Sequence, residues 1–319
     1  MDTDNTTVRV VRKQFDADDI CIFTLQPLDG SAVPAFQAGA HIDVHLPNGM
    51  IRQYSLCNPP HVRDHYLIGV LKDPATRGGS QSLHEEVTEG DVLTISLPRN
   101  LFSLADHAQR HLLLAGGIGI TPLIAMAWHL EARRANYHLH YYTRSPQRTA
   151  FLEQIRTSSL AGNVSHWFDS APSQEKPTVA ELLRRAPRDT HVYVCGPAGF
   201  INHVIDECGR VGWPAGQVHF ERFTAAPSTG ETEFTVVIRS SGQRIPIAGD
   251  TSVVQALECA GISIPVSCEQ GICGTCLTRI CAGVPDHRDQ YLTKDERMAA
   301  NMFTPCCSRS LTPELVLDL

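Results

Sequence analysis

Four cysteines near the C-terminus constrain this chain more than any other feature. Cys268, Cys273 and Cys276 are spaced C-x4-C-x2-C, and Cys306 follows after 29 further residues. That is the ligand spacing of a plant-type 2Fe–2S cluster, in which four thiolates hold two irons. Gly271 and Gly274 lie within the run, where a loop has to wrap closely round a cluster. Glycine reaches the backbone angles needed, and its missing Cβ lets amide groups approach the sulfurs. A zinc site is the competing reading, but zinc usually takes two separated C-x2-C or C-x2-H pairs. Here one such pair is accompanied only by the doublet Cys306-Cys307. The spacing implies a carrier of single electrons, so the remaining sequence has to supply their source and their exit.

A chain of 319 residues has room for two or three domains. Its formal charge of −7, with no Lys/Arg run, argues against nucleic acid as a partner. Eleven cysteines in a chain of this size, an odd number, fit a reducing compartment where thiols serve metals. The N-terminus, Met1-Asp-Thr-Asp-Asn, lacks the basic and apolar regions of a signal peptide. The most apolar stretch, Leu112 to Trp128, is interrupted by Gly116, Gly117, Gly119 and Pro122. A buried strand, a glycine turn and a helix explain it better than a membrane span. The expectation is a cytoplasmic protein with no membrane association.

Three rhythms follow one another. From Thr6 to about Leu104, short apolar or alternating runs are punctuated by Gly, Pro, Asn and Asp, as in Pro47-Asn-Gly49. Such a pattern predicts an antiparallel barrel or sandwich. From His111 to about Arg222, strand-like runs alternate with helix-like ones at about 149–156, 179–185 and 198–211. This alternation predicts a parallel sheet covered by helices. Thr224–Gly230 has the composition of a linker, and beyond it come a hairpin around Ser241-Gly242, a helix over 252–260 and the cysteine loop. The expected domains are 1–107, 108–225 and 233–319, with a linker at 226–232.

Each of the first two segments carries candidate binding residues. Gly116, Gly117 and Gly119 precede Thr121 and Pro122 where a strand hands over to a helix. Glycines there admit a phosphate close to the backbone, and Thr121 reads as the helix cap with Pro122 at the first helical position. Cys195, Gly196 and Pro197 stand at another strand end, where open α/β sheets bind ligands. In the barrel-like segment, Arg52, Tyr54 and Ser55 can pair a phosphate, pack on a ring and bond a ring nitrogen. Arg77, Gly78, Gly79 and Ser80 offer a cation, backbone N–H groups and a hydroxyl. His138 and His140, two apart on a strand, read as neighbours on one sheet face rather than as metal ligands.

Taken in this order, R-x-Y-S-L, G-G-I-G-I-T-P, C-G-P and the ferredoxin cysteines resemble the ferredoxin–NADP reductase superfamily, and within it the phthalate dioxygenase reductase type. The resemblance implies a flavin-binding β-barrel, an α/β nicotinamide domain and a β-grasp ferredoxin in series. It puts Arg52, Tyr54 and Ser55 on the flavin, with Ser55 near the flavin N5. It puts Gly78, Gly79 and Ser80 on the flavin phosphate. Gly116–Pro122 would face the nucleotide pyrophosphate, with Cys195 beside the nicotinamide. On this basis Ser55 and Cys195 are the catalytic candidates. Glu221-Arg-Phe223 matches a Glu-x-Phe motif that would let Phe223 pack on the flavin. C-x-S-R makes Cys306, not Cys307, the fourth ligand. The flavin implied is FMN.

Arg144 follows the strand 138–143 with no acidic residue at that strand end, which permits NADPH by charge, whereas the family habit is NADH. A flavin takes a hydride and releases single electrons, so it joins the two other carriers. The partner implied is the terminal oxygenase of a Rieske non-haem iron system acting on an aromatic compound. A haem-thiolate monooxygenase partner, and an iron–sulfur redox sensor without turnover, are the rival readings.

Overall fold

The computed structural model describes residues 5–73, 78–171, 176–223, 233–249, 251–266, 271, 274–289 and 291–319. The chain forms two compact units, Met1–Arg222 and Phe223–Leu319. Arg77, Cys268, Cys273 and the linker expected at 226–232 lie outside the described residues.

The first unit begins with the strands β1 (Asn5–Ala17), β2 (Ile20–Pro27), β3 (His41–His45), β4 (Ile51–Ser55), β5 (Tyr66–Leu71) and β6 (Val92–Ser96). They form one antiparallel sheet in the order β4-β3-β6-β1-β2-β5. A bridge between Leu56 and Ile68 brings the two edges together, so the sheet closes on itself. Closure removes the edges that would otherwise be free to pair with other chains. Val8, Val10, Phe23, Leu25, Ile42, Val44, Ile68 and Ile95 fill the interior. Between β5 and β6 the chain makes a short helix, α1 (Gly79–Glu85), at a segment whose Gly-Gly-Ser composition reads as loop.

The same unit continues with β7 (Arg110–Gly116), α2 (Ile120–Ala132), β8 (Asn136–Thr143), α3 (Leu152–Arg156), β9 (Val164–Phe168), α4 (Val179–Arg185), β10 (Thr190–Cys195), α5 (Ala198–Arg210) and β11 (Val218–Glu221). The strands are parallel in the order β11-β10-β7-β8-β9. From β7 the chain winds outward through β8 and β9, then returns to β7's other side with β10. That reversal opens a crevice between the C-terminal ends of β7 and β10, where such sheets take ligands. Residues of α4 and α5 pack with Leu112, Leu114, Val192 and Val194 of the sheet.

The second unit holds β12 (Phe234–Ile238), β13 (Arg244–Ile247), α6 (Val253–Cys259), β14 (Thr278–Ala282), β15 (Pro285–Asp286), α7 (Lys294–Ala299), β16 (Met302–Phe303), β17 (Arg309–Ser310) and β18 (Glu314–Leu317). Its sheet runs β13-β12-β18-β14-β16, with β12 and β18 parallel, as in a β-grasp fold. The hairpin turns through Gly242 at φ +71°, and α6 starts on a reciprocal cap between Ser252 and Gln255. Arg309 is buried. It donates to the carbonyls of Thr251 and Ala248 and sits over the Phe234 ring, which gives the arginine of C-x-S-R a structural job. Among the described residues, no helix is long and apolar enough to cross a membrane.

Candidate functional site

Arg52 on β4 lies directly beneath the start of α1. A Cβ on Gly79 would fall 2.8 Å from the Arg52 Nε, so only glycine lets the backbone come this close to the guanidinium. Gly78 adopts the left-handed conformation (φ +102°), and its carbonyl accepts from the Asn48 amide at 3.1 Å. The Ser80 hydroxyl accepts from the Asp73 N–H. A cation is thereby held under a glycine turn, a donor set that fits a flavin phosphate. Next to Arg52, both amide atoms of Gln53 are buried without a hydrogen-bond partner. Tyr54 packs partly buried against the barrel core, and burial pushes its hydroxyl pKa upward.

At the crevice the strand ends are in contact. A Cβ on Gly119 would collide with the Cys195 carbonyl at 2.3 Å, and one on Gly196 would lie 2.9 Å from the Gly116 Cα. A Cβ on Gly116 would meet Pro197 and Phe200 at 3.0 Å. Gly117, at φ +52°, faces open space, which leaves its backbone free to approach a pyrophosphate. The helix starts earlier than the sequence implies. A 3-10 turn over Gly117–Gly119 leads into α2, whose N-cap is Gly119 and not Thr121. Thr121 instead sits buried in the first turn and donates to the Ile118 carbonyl at 3.0 Å, with Pro122 following it inside that turn. A hydroxyl that can bond backwards to a carbonyl does not act as a cap, and the glycine turn already supplies the helical entry.

The crevice also contains a carboxyl group that motif reading mentions only in passing. Strand pairing puts Cys195 opposite Glu221, and Glu221 hydrogen-bonds the Ser55 hydroxyl. Ser55 on the barrel and Cys195 on the parallel sheet are thus joined through one buried acid. Burial pushes Glu221 up to about 8, against the pull of the Ser55 hydrogen bond. Burial, and then the Glu221 carboxyl, raise Cys195 well above its ordinary value, so it remains a thiol and not a nucleophilic thiolate.

Glu221 makes a pH prediction. With its folded pKa raised, the native state holds a proton that the unfolded chain has lost, so stability falls as pH rises towards about 8. The buried His41, His111 and His140, lowered to about 4, slope the other way, as do His84, His129, His138, His166, His191 and His219, which burial also lowers. Unfolded histidines still bind protons up to about pH 7.5, so the Glu221 contribution, near 1.4 kcal/mol per pH unit, is read as a difference between the parent and Glu221→Gln. Between about pH 6.5 and 7.5 the slope of stability against pH should be more positive in Glu221→Gln by that amount. Trp128, Trp167 and Trp213 all lie in the first unit, so tryptophan fluorescence during thermal unfolding of flavin-free protein reads the change.

Arg144 follows β8 on the surface, as expected, but an acidic residue does stand beside it. The chain leaving β9 pairs with it: the Asp169 N–H donates to the Thr143 carbonyl at 3.0 Å, and the Ser170 N–H to Arg144 at 2.9 Å. The Asp169 carboxylate is exposed and meets Lys176 at 2.8 Å. Reading the end of a single strand missed this acid because it arrives from the neighbouring one. His138 and His140 do share a sheet face, with ring centroids 4.6 Å apart; they bond Ser165 and Trp167 respectively.

In the second unit, Cys276 and Cys306 are buried, and the Cys306 thiol is within hydrogen-bonding reach of Cys276 and Cys307. Gly271 and Gly274 have φ +73° and +72°, the left-handed region expected of a ligand loop. Their missing side chains also matter: a Cβ on Gly271 would strike the Cys307 Sγ at 2.3 Å, and one on Gly274 the Tyr291 ring at 2.3 Å. Clustered thiols under a glycine loop fit an iron–sulfur cluster held by Cys276 and Cys306 among others. Phe223 is half-buried at the start of this unit.

Comparison with known proteins agrees with this division. Residues 236–311 match the model of 2Fe-2S iron-sulfur cluster binding domains, and residues 95–218 match that of the N-terminal domain of dimethylamine monooxygenase subunit DmmA-like proteins. Vanillate O-demethylase oxidoreductase of Pseudomonas putida is 52% identical over 97% of this chain and 98% of its own. Phthalate dioxygenase reductase of Burkholderia cepacia is 39% identical over 98% and 97%. The chain belongs to the phthalate dioxygenase reductase family. A solved phthalate dioxygenase reductase, described as a modular structure for electron transfer from pyridine nucleotides to 2Fe–2S, superimposes with a TM-score of 0.76 at 38% identity. It covers 99% of this chain and 98% of that one. An intact type IV self-sufficient cytochrome P450 monooxygenase matches with a TM-score of 0.78 at 37% identity, over 99% of this chain and 41% of that one. The family is one of oxidoreductases, in keeping with the crevice and the cysteine loop.

Proposed function

We propose that this cytoplasmic reductase carries electrons from NADH through FMN and a 2Fe–2S cluster to the Rieske non-haem iron oxygenase of an aromatic demethylase or dioxygenase system. The observation that carries this reading is the Ser55–Glu221–Cys195 contact, which ties the flavin strand to the nicotinamide strand at one crevice. A flavin bound there supplies the chemistry of accepting a hydride and giving up single electrons. Arg52, Gly78, Gly79 and Ser80 hold its phosphate, and Tyr54 packs on its ring. Ser55 and Cys195 touch the reacting rings. Gly116, Gly117, Gly119, Thr121 and Pro122, together with Gly196 and Pro197, admit the pyrophosphate, while Arg144 flanks the adenosine end. Glu221 keeps a proton inside the crevice, beside Ser55. Phe223 covers the flavin. Cys268, Cys273, Cys276 and Cys306 hold the two irons. The domains divide at about 107 and 225, and the ferredoxin begins at 233.

Asp169 supports NADH over NADPH. A carboxylate at the adenosine end accepts a ribose 2′-hydroxyl and repels a 2′-phosphate. Delivery to a haem-thiolate monooxygenase is the second reading, favoured by the likeness to the cytochrome P450 chain; the 52% identical relative favours the demethylase system. The test is compositional and kinetic. Purified protein should contain one flavin, two irons and two acid-labile sulfides per chain, and should prefer NADH. Asp169→Ser should narrow that preference by about tenfold or more, the order of one lost charge-assisted contact. Zinc in place of iron, or an unchanged NADH-to-NADPH ratio in the variant, counts against the respective assignment.

A further inference from the structure

Besides the Ser55–Glu221 contact, the barrel and the parallel sheet of the first unit touch at Gly69 on β5. Gly69 is not among the glycines with positive φ, so it is needed for space and not for conformation. A Cβ there would lie 2.9 Å from the Thr121 methyl carbon, 3.4 Å from the Ile22 Cδ1 and 3.5 Å from the Phe151 ring. Gly69, Thr121 and Phe151 are all buried. Thr121 is poorly placed to turn aside, because its hydroxyl is bonded to the Ile118 carbonyl and branching at Cβ leaves few rotamers. Gly69 itself belongs to the flavin side. The chain leaving Ser55 runs along β5, with Leu56 bridged to Ile68 and the Cys57 N–H donating to the Leu67 carbonyl at 2.9 Å. The Cys57 thiol is in hydrogen-bonding reach of the Gly69 backbone. Thr121 follows Gly119 of the glycine turn by two residues, so one bare backbone position separates the two binding elements.

Phe151 completes this contact in a strained backbone. Its φ is +60°, a left-handed conformation uncommon for a bulky residue, and such strain persists only where the surroundings impose it. Here the barrel imposes it. The Phe151 N–H donates to the Asp16 carboxylate at 2.5 Å, the Asp18 N–H donates to the Gln147 carbonyl at 2.8 Å, and Arg148 meets Asp19 at 3.4 Å. The end of β1 and the turn into β2 thus grip residues 147–151. We propose that Gly69, Thr121 and Phe151 form a spacer, latched by Asp16, that sets how closely the pyrophosphate turn stands to the flavin strand. Gly69 and Asp16 are then positioning residues for hydride transfer. This rests on the reading that NADH reduces a flavin bound at the crevice.

Flavin reduction is followed by stopped flow in full-length holoprotein, per bound flavin, with NADH and with NADH dideuterated at the nicotinamide C4. In Gly69→Ala the contact has to open from 2.9 Å to an ordinary 3.4 Å. A misplacement of about 1 Å can cost about 100-fold, so the limiting rate should fall about tenfold. The isotope effect should rise, and the Kd for NADH should stay within about twofold, because the nucleotide's own contacts move with the sheet. Gly69→Ala combined with Thr121→Ser, which deletes the struck methyl and keeps the hydroxyl, should regain most of the loss relative to Thr121→Ser alone. If Gly69→Ala does not fold, Asp16→Ala decides. In flavin-free protein its Phe151 amide should exchange about tenfold faster, the scale of one lost hydrogen bond. In holoprotein its hydride transfer should slow about threefold, while Asp16→Asn, which keeps an acceptor oxygen, stays near the parent. A parental rate in Gly69→Ala, or a loss that Thr121→Ser does not relieve, overturns the proposal; so does a parental rate in Asp16→Ala where that variant decides. A parent protein whose flavin stays oxidised with NADH refutes the NADH–flavin reading, and the spacer's role with it.

Discussion

Replacing Cys306 by serine should abolish electron delivery to the oxygenase while leaving NADH–ferricyanide turnover close to that of the parent. A thiolate ligand is not replaced in kind by a hydroxyl, and a structural metal site contributes folding energy that disappears with the metal. Cys306 is buried with its thiol in reach of Cys276, in the unit that matches 2Fe-2S cluster binding domains. Cys307→Ser should behave differently. That thiol is half-buried, sits 3.3 Å from the Thr304 hydroxyl and turns towards Gly271, a position where a smaller hydroxyl fits. Electron paramagnetic resonance of the reduced proteins, with iron and acid-labile sulfide analysis, distinguishes the two. If Cys307→Ser loses the signal and Cys306→Ser keeps it, the ligand register is displaced by one residue.

What the sequence made legible followed from whether a signal was local. The barrel strands show as alternating or apolar runs, and α5 shows a clear apolar face, so both are read close to where they lie. β4 is harder, because Ile51-Arg-Gln-Tyr-Ser is mostly polar; it is visible through its binding motif and not through its pattern. β9 is a five-residue edge strand, Val164-Ser-His-Trp-Phe, partly buried throughout, and gives no period-two signal. α2 begins at Ile120 because glycines admit the preceding 3-10 turn, whereas cap preferences point to Thr121. The same distinction applies at the site. The glycines and cysteines are legible as spaced motifs. Asp169 beside Arg144, and Glu221 between Ser55 and Cys195, are partners across strands and arise only once the sheet is formed. Asp289 is a further case: one of several acids between 286 and 296 in the sequence, it is the buried one that accepts from the Tyr291 and Leu292 N–H groups.

A chain ending after about Gly230 should remain a folded flavoprotein, because the cut lies beyond the first compact unit, Met1–Arg222, whose barrel and parallel sheet keep their own cores. It retains Arg52, Ser55, Cys195 and Glu221, so it should still oxidise NADH with ferricyanide, which draws electrons at the flavin. It lacks every cluster ligand, so its delivery to the oxygenase should collapse. Flavin content has to be measured alongside, since removal of the second unit can loosen the flavin. The most direct test of the order NADH, flavin, cluster, oxygenase is oxygenase turnover per bound flavin, compared between this truncated protein and the full chain. Turnover near zero in the truncated protein, with ferricyanide reduction per flavin retained, is the predicted result; oxygenase turnover at the full-chain rate would take the cluster off the path and contradict it.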